Sequence, residues 1–198
     1  FDLVVRQAFQ TAARRSETGD PVRENRAAIL TLGLALGTVS LERIVGDVWQ
    51  GTARGYVALI PRRSKLRERA DWSRHFWVSA AVTLLATNHV SDMLGLLKEE
   101  LDAGEGGSGF SFGDLAADRA GTAFAELATR DADSARAVQR WILSADTDLN
   151  ELMPAAADLP EGMSDADLLA RFDSVDGPRY RQMIEEIDKR VRALPWRR

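Results

Sequence analysis

The sequence predicts an all-α protein, a single compact domain of about seven to nine helices with a glycine-rich hinge and little regular sheet. Apolar residues recur at three- and four-residue intervals through most of the 198 positions. Helix-start pairs such as Asp20-Pro21 and Ser164 with Asp167 punctuate that rhythm. Strand-like character is confined to one short piece, Tyr56–Ile60, closed by Pro61.

Taken in order, residues 1–17 gather Leu3, Val4, Phe9, Ala12 and Ala13 near one helical face. Asp20 can cap free N–H groups and Pro21 suits a first turn, so a second helix runs to about Gly37. Its apolar stretch 27–39 is closed by Ser40, Glu42 and Arg43, short of the ~20 residues a membrane span needs, and reads as a core helix. A helix over 40–53 points Leu41, Ile44, Val45, Val48 and Trp49 inward. Residues 54–70 form a crossing loop whose cluster Arg62, Arg63, Lys65, Arg67 and Arg69 is read as solvated rather than as an anion site, because Glu68 interrupts it.

Asp71 is expected to cap a helix over 72–87, and Ser91 or Asp92 to begin one over 91–103. Ser111 and Asp114 have capping-box spacing at the head of a helix over 112–129. A further helix covers 133–145. Pro154, Pro160 and Gly162 make 146–163 an irregular connection. Ser164 with Asp167 opens the next helix, and Asp176-Gly177-Pro178 introduces the last, to about Leu194. The organisation is one domain over 1–198: a core (1–145), the proline-bearing connection (146–163) and a helical tail (164–198) that packs back.

Composition excludes some functions. With 26 basic against 30 acidic residues and a net charge of −4, the chain lacks the basic face of a nucleic-acid binder. With no cysteine it has neither a disulfide nor a thiolate nucleophile or metal ligand. The first residue is Phe1 rather than methionine, which leaves an upstream leader or membrane anchor open.

Residues 95–121, GLLKEELDAGEGGSGFSFGDLAADRAG, concentrate the chemistry. Glu99 and Asp102 share a helical face, as do Asp114 and Asp118, and so do His75 and Ser79. A glycyl bend that folds the chain back would bring these groups together. Asp114 near a helix N-terminus also suits a capping role, and Asp118 in the small-residue stretch LAADRAG suits a packed salt bridge with Arg or Lys. The glycines lack the lysine and spacing of a phosphate-binding loop. No spacing singles out a metal, and metal and cofactor binding stay undetermined.

The segment 74–121 resembles the YfiM-type bacterial lipoproteins and, more distantly, VanZ-like proteins. The resemblance rests on His75-Phe76, on Lys98-Glu99 with Asp102, and on Ser111, Asp114, Leu115, Asp118 and Gly121. The Asp-Lys that precedes the histidine in that group is Ser73-Arg74 here. It covers about a quarter of the chain and implies a bacterial cell-envelope or periplasmic setting. It carries no reaction with it, and a cytoplasmic setting stays open. It makes His75, Lys98, Glu99, Asp102, Ser111, Asp114 and Asp118 one polar cluster.

Two functions follow as expectations. The first is a non-enzymatic envelope-associated protein whose cluster organises the core and receives a small ligand or ion. The second is a hydrolase of cell-wall glycan or lipid-linked material with Glu99 as general acid/base, assisted by Asp102 or Asp114, and with His75 the other catalytic candidate. Oligomeric state stays open.

Overall fold

Local signals set the helix ends in the computed structural model, which describes residues 1–37, 64–85, 109–174 and 177–197. Among the described residues there are seven α-helices and no strand. They are α1 (Asp2–Arg15), α2 (Pro21–Leu36), α3 (Ala70–Leu85), α4 (Phe112–Ala128), α5 (Ala132–Leu143), α6 (Asp165–Phe172) and α7 (Pro178–Arg192). Short 3-10 turns follow at Leu149–Leu152 and Pro195–Arg197. The expected elements over 40–53 and 91–103, and the Tyr56–Ile60 piece, lie outside the described residues.

The caps explain the boundaries. Asp20 accepts from the Val22 N–H at 3.0 Å, with Pro21 opening α2. Ser111 accepts from the Asp114 N–H at 3.0 Å to open α4. Ser164 and Asp167 form a full reciprocal box ahead of α6, and Gly177-Pro178 opens α7. One expectation changes: Asp71 does not cap α3. The helix starts at Ala70, so Asp71 sits in its first turn, where Arg69 binds its carboxylate.

α3 and α4 form the central pair, and they run parallel. Ser79 meets Asp118 and Thr83 meets Thr122, a constant offset of 39 residues. Small residues allow this approach. Ala116, Ala117, Ala120, Gly121 and Ala125 of α4 are all buried, and Gly121 lies against the Phe76 backbone. Around the pair, Phe9, Phe76, Trp77, Phe124 and Trp196 form an aromatic centre in which Phe124 touches the other four.

One buried polar network joins α2, α4 and α5. The buried Asn25 amide donates to the Ala128 and Ala135 carbonyls at 2.9 and 3.0 Å and accepts from Gln139 at 2.8 Å. Gln139 in turn donates to Ser16, whose hydroxyl returns to the Ala12 carbonyl. Such a satisfied network specifies packing, because leaving any member unpaired costs its desolvation. Arg6 of α1 donates to the Ile142, Ser144 and Thr147 carbonyls, closing the C-terminal end of α5.

The tail shares this core. Ile187, Val191, Leu194 and Trp196 are buried in the same cluster as Val5 and Phe9 of α1. Phe172 packs on Phe112 at 4.8 Å between ring centroids. Backbone bonds between Phe110 and Met163 (2.8 and 3.1 Å) tie the connection to the entry of α4. Gly109 adopts φ +68°, and a side chain there would press on the Gly162–Met163 backbone.

The basic run is not simply solvated. Arg67 donates to the Met153 carbonyl, and its N–H to the Asn150 side chain. Arg69 bridges Asp71 and Glu161 and lies over the Trp72 ring at 4.7 Å. Asn150, Met153 and Glu161 are remote in sequence, which is why the residues read as a free loop. Lys65 stays exposed, and Arg62 and Arg63 lie outside the described residues.

Candidate functional site

Two polar ridges face each other along one edge of the α3–α4 contact. His75, Ser79 and Thr83 recur every four residues on α3; Asp114, Asp118 and Thr122 do the same on α4. Because the helices are parallel, the ridges align rung by rung. His75 Nδ1 lies 3.2 Å from Asp118 Oδ1, and the Ser79 hydroxyl donates to that same oxygen at 2.6 Å. On the opposite side of the ring, His75 Nε2 lies 3.8 Å from Asp114 Oδ2. Thr83 then donates its hydroxyl to the Ser79 carbonyl at 2.7 Å and lies 3.3 Å from the Thr122 hydroxyl.

The imidazole therefore sits between two carboxylates, one on each ring nitrogen. Burial opposes its protonation, but the hydrogen bond to Asp118 and the charges of Asp118 and Asp114 outweigh that and raise its pKa. Asp114 is shifted upward as well, chiefly by burial, opposed by His75 and reinforced by Asp71 and Asp118. Among the described residues its Oδ1 is buried with no hydrogen-bond partner. A buried carboxylate oxygen without a partner carries a desolvation cost that a donor or cation would relieve.

The site narrows one expectation and corrects another. Among the described residues Asp118 pairs with His75 and Ser79 rather than with an Arg or Lys, and its side chain is one-third exposed (33%). Asp114 does not cap α4 with its carboxylate; Ser111 is the cap and Asp114 only its N–H donor. Ser111 thus has a local role, beside the cluster rather than in it. Lys98, Glu99 and Asp102 lie outside the described residues, so the half of the cluster placed before the glycines stays an expectation. Thr83 and Thr122 were missed by sequence reading. Extending each four-residue ridge by one more step would have found both.

Below Asp118 the surface opens into a groove of about 550 Å³ between α4 and α7. Asp118, Arg119, Thr122, Asp188, Arg192 and Arg197 line it, a mixture of both charge signs. Arg119 donates to Asp188 at 2.7 Å within this lining, while its Nε is buried without a partner among the described residues. Asp118 belongs to both places: one oxygen is held by His75 and Ser79, and its side chain forms part of the groove wall. Among the described residues no group of three His, Asp or Glu is placed to hold a metal ion. The reason is geometric, since the two carboxylates address opposite ring nitrogens of His75 rather than one point.

The charge balance gives a pH dependence with a definite sign. A histidine whose folded pKa exceeds its ordinary 6.5 contributes stability that is fully present below that value and lost as pH rises through the raised pKa. The thermal midpoint is expected to fall as pH rises from below to above neutrality, with His75→Asn flattening that slope. A slope identical in the variant would assign the dependence to other groups. Asp114 acts in the same sense at lower pH, because its pKa too is raised.

Compared with known proteins, the chain matches no family model, no curated protein and no solved structure.

Proposed function

We propose that this is a non-enzymatic helical protein of the bacterial cell envelope whose His75–Asp114–Asp118 cluster has two tasks. It holds α3 and α4 in register, and it receives a small ligand that brings a positive charge or hydrogen-bond donors. The observation that carries the reading is Asp114 Oδ1, buried beside the imidazole with no partner among the described residues. A cation or donor there would offset the cost of its burial. The groove reached by Asp118 supports the reading, because about 550 Å³ is within the range of small-molecule sites. Its mixed arginines and carboxylates suit a polar or zwitterionic molecule better than an apolar one. The envelope setting is supported by the resemblance of residues 74–121 alone. No described helix is long and apolar enough to cross a membrane.

Titration with ethanolammonium, followed through the imidazole resonances of His75, tests the ligand half. A saturable shift that Asp114→Asn abolishes is the expected result. Resonances unmoved by ethanolammonium and by calcium alike would overturn ligand binding and leave the cluster a structural lock. Fractionation of cells producing the natural full-length protein tests the setting, which a wholly cytosolic distribution would overturn.

A further inference from the structure

The groove below Asp118 takes its charge pattern from the way α4 and α7 run. Phe112 lies 5.6 Å from Tyr180 between ring centroids, and Arg119 meets Asp188, so the two helices are parallel and keep nearly one register. Charge along the walls then changes sign by level. Asp118 and Asp188 stand at about one level, and Thr122 and Arg192 follow four residues further along each helix, about 6 Å away at 1.5 Å per residue. Arg197, past the end of α7, and Glu126 lie beyond them. At the first level Asp188 is engaged by Arg119, which leaves Asp118 as the open carboxylate. Both contacts of Asp118 among the described residues use Oδ1, leaving Oδ2 to the groove. At the far end Arg192 and Arg197 are exposed, and neither forms an ion pair among the described residues.

We propose that this groove takes a zwitterion in which a two-carbon spacer separates an ammonium from a phosphate, the ammonium at Asp118 and the phosphate at Arg192 and Arg197. The inference rests on the reading above, in which the cluster receives a cation, and adds the anionic half. One helical turn between the two levels disfavours an α-amino acid, whose ammonium and carboxylate branch from a single carbon. Two guanidinium groups beside the Thr122 hydroxyl favour phosphate over carboxylate. A carboxylate is satisfied by one guanidinium fork, whereas a phosphate has oxygens for both arginines and the hydroxyl. Glu126 sets the far limit, because a second anionic group further along would meet its charge. Free phosphoethanolamine and the headgroup of phosphatidylethanolamine share this chemistry.

Calorimetric titration of the whole chain with O-phosphoethanolamine, set beside ethanolammonium, tests this. O-Phosphoethanolamine is expected to bind about tenfold more tightly, the increment of one charge-assisted contact. Arg192→Gln is expected to remove that increment and to leave the ethanolammonium affinity as in wild type, which also shows that the variant is folded. Vesicles of phosphatidylcholine with and without phosphatidylethanolamine assign the source. Co-sedimentation that requires phosphatidylethanolamine and is lost in Arg192→Gln supports the lipid headgroup; soluble binding without co-sedimentation supports the free compound. Equal affinity for the two soluble probes, or an increment that survives Arg192→Gln, would overturn the inference and leave cation binding standing. Binding of neither probe would overturn the cation reading and this inference with it.

Discussion

Phe124→Ala is expected to destabilise the fold by about 3–5 kcal/mol, the range for removing a fully buried aromatic ring. The ring is wholly inaccessible and meets Phe9, Phe76, Trp77 and Trp196 at centroid distances of 6.0, 5.6, 5.9 and 5.5 Å. Three of these contacts are edge-on, an arrangement that adds to simple burial. The partners come from α1, from α3 and from the last turn of the chain, so no single element can close over the void. Rigid surroundings put the cost toward the upper end, because a cavity that cannot collapse keeps its full penalty. Denaturant unfolding measures it. A loss below about 1 kcal/mol would mean that the neighbouring rings repack and that Phe124 is not the centre of the core.

Gly121→Val is expected to cost about 3 kcal/mol and also to disturb the candidate site. A β-carbon at Gly121 would overlap the Phe76 carbonyl oxygen and lie 2.9 Å from its carbon. The obstacle is backbone inside a helix, which cannot swing aside as a side chain would. α3 and α4 must then separate. Even Gly121→Ala is expected to destabilise, although alanine favours the helix by about 1 kcal/mol over glycine, because the overlap outweighs that gain. The distinguishing readout is His75. As the helices part, its contact with Asp118 lengthens and its pKa should fall back toward the ordinary value, as an NMR titration would show. A Gly121→Ala protein more stable than wild type would refute the close approach.

Both effects begin in the geometry that aligns the two polar ridges. Phe76 lies next to His75 in sequence, and Gly121 lies three residues after Asp118 on the face packed against α3. The tight crossing that Gly121 permits therefore sets how closely the imidazole meets the carboxylate. Stability of the core and chemistry of the site are coupled through one interhelical distance.

The candidate site was half legible in advance. Four-residue spacing placed His75 with Ser79 and Asp114 with Asp118, because residues on one helix face follow from 3.6 residues per turn alone. Spacing could not say which ridge faces which, or that Asp118 would be shared by a histidine and a serine. Arg69 illustrates the same limit, since its partner Glu161 lies 92 positions away.

By itself the sequence determined the all-α class, the described helix starts at Pro21, Phe112, Asp165 and Pro178, and the inward faces of most described helices. Those features depend on periodicity, caps and prolines within a few residues. Only the tertiary structure decided that α3 and α4 run parallel at an offset of 39 residues, that the C-terminal Trp196 fills the aromatic core, and that one Asp114 oxygen is buried with no partner among the described residues. Those depend on which distant surfaces meet, and chain-local rules carry no information about that.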